Sequence, residues 1–116
     1  MDHYHIWFDL LPGIGDVEFT ERLDAYLAPL KSSGDILGYH LTRRKLGFGP
    51  PELGEFHLVI DLENLAQLDR AFGRVSERAD PVESLHHAVN RWVTNFRGAL
   101  YRDFPDPGRK RGQEKF

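Results

Sequence analysis

The chain has 116 residues, of which 41% are hydrophobic and 28% are charged, a balance typical of one soluble globular domain with an ordinary core. The absence of cysteine excludes a disulfide framework, a thiolate metal site and a cysteine nucleophile. A net charge of −3 argues against a nucleic-acid partner. No signal-peptide pattern is present, and no apolar stretch approaches the roughly 20 residues of a membrane helix, so we expect a cytoplasmic protein without a membrane partner.

Residues 3–10 alternate strictly in polarity, which predicts a β-strand with two unlike faces. The apolar face comprises Tyr4, Ile6, Phe8 and Leu10, and the polar face comprises His3, His5, Trp7 and Asp9. A helix is predicted next, because apolar residues from Phe19 to Leu30 recur at helical spacing. We expect Asp16 to cap this helix and Pro29 to kink or end its last turn.

Two further strands are predicted, over residues 36–46 and 55–62, with a loop rich in glycine and proline between them. In the first of these, His40 and Arg44 face away from the apolar residues. In the second, His57 faces away from Phe56 and Leu58. Each of the three strands therefore places histidine opposite its large apolar side chains.

Two more helices are expected before the end of the domain. Asn64 and Gln67 resemble a capping box, and Asp80 with Pro81 forms the best helix start in the chain. The apolar stripe of this third helix comprises Val82, Leu85, Val89, Trp92, Val93 and Phe96, with Gly98 as the terminator. Residues 99–104 are either a fourth strand or a last helical turn. We expect one domain over 1–105 and a flexible polar tail over 106–116.

The resulting order is β-α-β-β-α-α-β, an α+β arrangement. A short connection favours an antiparallel hairpin of the second and third strands, and the right-handed crossover rule places the third strand between the first and second. We therefore predict a ferredoxin-like antiparallel sheet. Helices cover its apolar face, and the face with the histidines stays open.

These elements resemble the dimeric α+β barrel superfamily, in particular its uncharacterised small bacterial members. The resemblance is carried by the HYHIWFDL strand, the GYHLTRRKLGF and GEFHLVIDL pair and the closing ALYRDFPD segment. It implies a homodimer in which two open sheet faces meet, with a small-molecule site and chemistry of an oxygenase or isomerase type. Because this fold hosts many reactions, the resemblance selects neither a reaction nor a cofactor.

The candidate ligand-binding residues on the open face are His5, Trp7, His40, Arg44 and His57. Imidazole exchanges protons near neutral pH, indole offers a flat wall, and guanidinium attracts anions. Together they favour a small aromatic or acidic ligand. The alternative is a non-catalytic dimerisation or interaction module whose histidines are structural, because interfaces also favour aromatic residues and arginine.

Other readings of the histidines are weaker. His3 and His5 could chelate a metal only with a third ligand from a neighbouring strand, for which we considered His57, His40, Asp9 and Glu55. His86 and His87 are expected at the edge and the solvated face of the third predicted helix. An RNA-recognition module uses the same element order, but it places stacking aromatics on the third strand, where this chain has Glu55, His57 and Val59.

Overall fold

The computed structural model describes residues 1–76 and 90–112. Its elements in chain order are β1 Asp2–Leu10, α1 Asp16–Ser32, β2 Gly38–Arg43, β3 Phe56–Leu62, α2 Leu65–Ser76 and β4 Val93–Arg102. The four strands form one antiparallel sheet in the order β2-β3-β1-β4. The predicted position of β3 between β1 and β2 is confirmed, and the fold is ferredoxin-like.

The core lies on the face of the sheet that packs against α1. Phe8 of β1 and Phe56 of β3 stack at 5.7 Å between ring centroids, and Phe19 of α1 packs 5.4 Å from Phe8. Phe19 is fully buried, and burial of a side chain of this size stabilises a fold by about 2–3 kcal/mol. The remaining buried apolar residues are Leu23, Leu27, Leu30, Ile36, Leu58, Leu62 and Ala71. The predicted segregation of apolar from histidine-bearing positions is therefore confirmed.

The two described helices begin in different ways. Gly15, rather than the predicted Asp16, is the N-cap of α1, and Asp16 is its first helical residue. Pro29 lies inside α1, which continues to Ser32. Before α2, the Asn64 carboxamide accepts a hydrogen bond of 3.0 Å from the Gln67 backbone N–H, as the predicted cap requires. Buried Gln67 also donates to the Gly34 carbonyl at 2.9 Å, which ties α2 to the end of α1.

Strand β4 corrects the prediction of a helix continuing to Gly98. Val93 and Phe96, assigned above to a helical stripe, both lie in β4, and Gly98 is inside the strand rather than a terminator. The register of β1 with β4 shifts between Trp7 and Asp9, and Asn95 has a φ of 54°. This bulge places Val93 and Phe96, three positions apart, on the same face, so a strand mimics helical spacing. Trp92, also assigned to that stripe, lies in the turn just before β4. The part of the predicted third helix with Asp80, Pro81, His86 and His87 lies outside the described residues.

Residues 99–104 do contribute a strand, as the first alternative predicted, since β4 extends to Arg102. The second strand is shorter than the predicted 36–46, because the chain enters its loop after Arg43. Beyond β4, the Asp106 carboxylate accepts two hydrogen bonds from the Arg102 guanidinium, at 2.7 and 3.1 Å. A mobile tail over 106–116 stays a prediction. Of the helices that are described, none has the length and apolar character needed to cross a membrane.

Candidate functional site

The open face of the sheet is a grid of polar and aromatic side chains in three central rows. Because adjacent strands are antiparallel and in register, each row contains one residue from each strand. From β2 to β4, the rows are Gly38, Asp61, His3, Tyr101; then His40, Val59, His5, Ala99; then Thr42, His57, Trp7, Arg97. The three positions of β1 thus lie at the centre of the face.

At the centre of the grid, two imidazoles and an indole form a stack. The Trp7 and His57 rings lie opposite each other, parallel to within 3° and 4.6 Å apart between centroids. His5, diagonal to His57, shares a hydrogen bond of 2.8 Å between its Nδ1 and His57 Nε2. Tyr101 closes the other side of His5 with an edge contact at 4.8 Å. Every ring in this group is therefore held by at least one neighbour.

The surroundings of the two stacked histidines favour their neutral forms. Burial lowers the pKa of His5, and burial together with the nearby His5 lowers the pKa of His57. In the neutral pair, one ring donates its inner N–H to the other. One outer nitrogen, His5 Nε2 or His57 Nδ1, then carries a proton and the other has a free lone pair. Such a pair can accept a proton at one end and release one at the other.

His3, two residues before His5, has the opposite character. Its Nδ1 donates to Asp61 at 2.7 Å, and its Nε2 donates to Asp103, just after β4, at 2.6 Å. These bonds, chiefly the one to Asp103, raise the pKa of His3, and the same bond lowers the pKa of Asp103. The N-terminal amino group also approaches Asp103, at 3.3 Å. His3 is therefore an ionic link between β1, β3 and the end of β4.

A cavity of about 220 Å³ lies beside the stack, at the end of the face towards the β2–β3 loop. Trp7 and His57 form one wall, and Arg44 and Phe48 from the loop form another. The Arg44 guanidinium Nη2 donates to two loop carbonyls, Pro50 at 2.8 Å and Leu53 at 2.7 Å. The loop is thus fastened beside the cavity by a residue that keeps its positive charge.

Of the five predicted site residues, the structure brings four to one end of the open face. Trp7, His57 and Arg44 line the cavity, and His5 touches it through its hydrogen bond to His57. His40 lies on the same face but is exposed and contacts none of these rings within the described residues. Sequence reasoning missed Tyr101 and Phe48. If the segment ALYRDF is taken as a strand, its alternation predicts the sheet face on which Tyr101 lies, and this signal was available in the sequence.

A second cavity, of about 310 Å³, lies on the opposite face, between the sheet and α1. Its lining includes Tyr4, Tyr26 and Phe72, with Asn90 at one side. Burial raises the pKa of Tyr4 and raises that of Tyr26 to about 12, so both phenols stay neutral. The described residues of this lining offer apolar surface, and none of them is an acid–base group active near neutral pH.

The metal ligands considered from sequence have other partners. Asp9 accepts a hydrogen bond of 2.7 Å from the Glu55 backbone N–H and one of 3.1 Å from Asn95. Glu55 itself pairs with Arg43 at 3.0 Å. Across residues 1–76 and 90–112, no three histidine or carboxylate side chains converge as metal ligands do.

The family of unknown function DUF6614 matches residues 1–116. This chain belongs to that family. No curated protein matches the sequence. Solved structures agree in fold at low identity. One is an Arabidopsis thaliana protein, with a TM-score of 0.70, 7% identity, and 91% of this chain and 98% of that one covered.

Two further structures are similar to this DUF6614 chain. SnoaB, a cofactor-independent oxygenase from Streptomyces nogalater, has a TM-score of 0.68 at 10% identity, with 93% of this chain and 97% of that one covered. A dimeric ferredoxin-like protein of unknown function from Thermobifida fusca has a TM-score of 0.57 at 14% identity, with 86% and 88% covered. At these low identities, the similarity shows the ferredoxin-like fold and nothing more. This is the fold that the sequence predicts.

Proposed function

We propose that this protein is a homodimer that binds a small aromatic or acidic molecule in the open-face cavity, beside Trp7 and His57. The observation that carries this proposal is the parallel Trp7–His57 stack, which forms a flat wall of the cavity and includes an imidazole of lowered pKa. A flat wall favours a flat ligand, and a neutral imidazole next to it can exchange a proton with that ligand.

Arg44 supplies the attraction for an anionic group. Its hydrogen bonds go to neutral carbonyl oxygens, and within the described residues no carboxylate pairs with it. The guanidinium charge at the cavity is therefore not cancelled locally, in contrast to that of Arg43, which bonds Asp16 and Glu55. An acidic ligand gains from this charge without breaking an ion pair.

Proton abstraction is the chemical step that the histidine pair supports. A proton leaves an acidic O–H or C–H of the ligand and joins the free outer nitrogen of the pair, while the shared hydrogen bond stabilises the resulting positive charge. The same first step serves an isomerase-like reaction and a cofactor-independent oxygenase. SnoaB, which is similar in fold, is named as the latter. We propose chemistry of one of these two kinds at this site.

The homodimer is proposed from the open face and from the fold comparison. The Thermobifida fusca protein of the same fold is described as dimeric. Here the open face presents Tyr101 with 57% of its surface exposed. We expect sedimentation equilibrium at micromolar concentration to give a two-subunit mass. A monomer under those conditions would contradict the dimer.

Ligand binding is tested by thermal shift with a panel of aromatic acids, phenols, quinones, flavins and haem. A ligand at one hundred times its Kd stabilises the native state by about 2.7 kcal/mol, a shift of several degrees in Tm. We expect His57→Ala to abolish the shift, because it removes half of the flat wall.

His40→Ala is the matched control, since His40 lies on the same face away from the cavity. A shift that survives His57→Ala places the ligand elsewhere. A broad panel without any shift favours instead the dimerisation module with structural histidines.

A further inference from the structure

The β2–β3 loop presents a large aromatic side chain to solvent at the mouth of the cavity. Phe48 is 90% exposed, although it lines the same cavity as Trp7 and His57. A benzyl group in water forgoes the stabilisation that burial would give it, and here the exposed ring lies beside a cavity whose ligand would cover it. Leu46, two positions earlier, is 93% exposed but does not line the cavity.

The base of this loop is fixed. The Arg44 backbone N–H donates to the Glu55 carbonyl at 2.7 Å, and its guanidinium bonds Pro50 and Leu53. Gly49 completes the anchor, because a Cβ there would approach Arg44 Nε to 2.7 Å. The loop therefore leaves the sheet and returns to it along a defined path.

The tip of the loop has a different backbone. The Phe48 N–H donates to the Lys45 carbonyl at 3.0 Å, and both residues inside this turn have positive φ: Leu46 at 58° and Gly47 at 65°. A left-handed leucine costs conformational free energy, and such strain is retained where the surrounding structure or function requires it. Gly47 precedes Phe48 in this turn, so the ring can swing by rotation about a permissive residue while the anchored base, including Gly49, stays in place.

We infer that Phe48 is an aromatic lid, and that the ligand is a planar aromatic anion sandwiched between Phe48 and the Trp7–His57 stack. This inference rests on the proposed function. It narrows the class of ligand from a molecule that is aromatic or acidic to one that is both aromatic and acidic. Aromatic walls on two sides select a flat π-system over a puckered ring of equal size. Arg44, in the anchored base of the loop, lines the same cavity, so its charge lies next to the lid and attracts the anionic group.

The test uses two carboxylates of matched charge and carbon skeleton, 2-naphthoate and its saturated analogue decahydro-2-naphthoate. Binding is followed by the indole N–H signal of Trp7 in NMR spectra, which a Trp92→Phe variant assigns. We expect the wild type to bind 2-naphthoate at least about tenfold more tightly than the saturated acid, because stacking on two rings supplies about 1.4 kcal/mol.

Phe48→Ala is expected to weaken 2-naphthoate binding by about threefold, half of the stacking free energy, and to leave the saturated acid unchanged. Leu46→Ala is the control, because Leu46 is equally exposed on the same turn but off the cavity. Both residues are on the surface, so neither variant removes core packing. Phe48→Tyr, which keeps the ring, is expected to bind like the wild type.

The outcomes separate the lid from the proposed site. If His57→Ala weakens 2-naphthoate binding and Phe48→Ala does not, the lid is wrong and the cavity stands. If 2-naphthoate fails to bind the wild type while another panel member gives a shift that His57→Ala abolishes, the ligand class is wrong. If Phe48→Ala changes the sedimentation mass and not the affinity, Phe48 is an interface residue and the inference is overturned.

Discussion

Two histidine groups lie one row apart on the same sheet face, and the structure gives them opposite charge states. His3 bonds two carboxylates, and its raised pKa favours the imidazolium. His5 bonds His57, and the lowered pKa values of this pair favour neutral rings. The difference comes from the partners: a carboxylate stabilises the charged ring, whereas an aromatic neighbourhood and a second imidazole destabilise it.

The comparison assigns different roles to the two groups. The His3 group joins β1, β3 and the end of β4 by ionic hydrogen bonds, and both of its carboxylates are already engaged. The His5–His57 group borders a cavity and has one basic outer nitrogen.

Trp7→Ala should have the largest effect, because it removes the half-buried ring that covers His57. We expect a loss of about 2 kcal/mol of unfolding free energy, measured by urea denaturation. The pKa of His57 should rise towards 6.5 as its ring becomes hydrated, while that of His3 stays unchanged. An equal rise at both histidines, followed by NMR titration, would show that the two groups are not independent.

The hydrogen bond inside the neutral pair should be visible as a coupling energy. In a double-mutant cycle of His5→Phe and His57→Phe, we expect the two substitutions to interact by about 1 kcal/mol, the usual net contribution of one hydrogen bond. His3→Phe combined with His57→Phe is the matched cycle, and its coupling should be near zero. A zero coupling for the first pair would mean that the 2.8 Å contact adds no stability.

Contacts between residues close in the sequence could be predicted, whereas contacts between residues far apart in the sequence could not. Alternation in β1 alone predicts that His3, His5 and Trp7 share a face, because the period of a strand is two. The pairing of Trp7 with His57 requires the register of β1 against β3, which no local pattern fixes. The contact of His3 with Asp103 requires β4. Its first half, residues 93–98, was predicted as helix, because the bulge at Asn95 gives that part of the strand the apolar spacing of a helix.

The loop illustrates a second limit. Glycines and prolines predict that residues 47–51 leave the sheet, and they do. They do not predict that Arg44 turns back to bond the loop carbonyls or that Phe48 faces the cavity. Those features depend on where the loop folds over the sheet, a matter of three-dimensional packing. Strand alternation places His40 on the same sheet face as the site. Its direct neighbour on β3, however, is Val59, so it lies away from the aromatic stack.

The third prediction separates the two groups by pH. A raised folded-state pKa means that His3 contributes stability below about pH 6.5, and this stability is lost as pH rises through the folded pKa. Lowered values mean that His5 and His57 cost stability as pH falls from 6.5 through their folded pKa values. The unfolding free energy of the wild type should therefore peak near pH 6.5.

His3→Gln should remove the decline above pH 6.5 and leave the decline below it. The loss at pH 6 should not exceed about 1 kcal/mol, because the main partner of His3, the Asp103 carboxylate, is 60% exposed and solvent screens the attraction. Urea denaturation between pH 5 and 8.5 gives both limbs of the profile. An unchanged alkaline limb in His3→Gln would contradict the assignment of that limb to His3.

His40→Ala should have the smallest effect on the unfolding free energy, and it is therefore the reference for the other three predictions. His40 is exposed in the row of His5 but has none of its ring contacts within the described part of the chain. Truncating an exposed side chain of this kind changes the unfolding free energy by less than about 0.5 kcal/mol. A larger loss, seen only at concentrations where the protein is dimeric, would mean that a second subunit covers His40. The polar face would then serve the interface as well as the cavity, and the charge state of each histidine would depend on the partner as much as on its own strand.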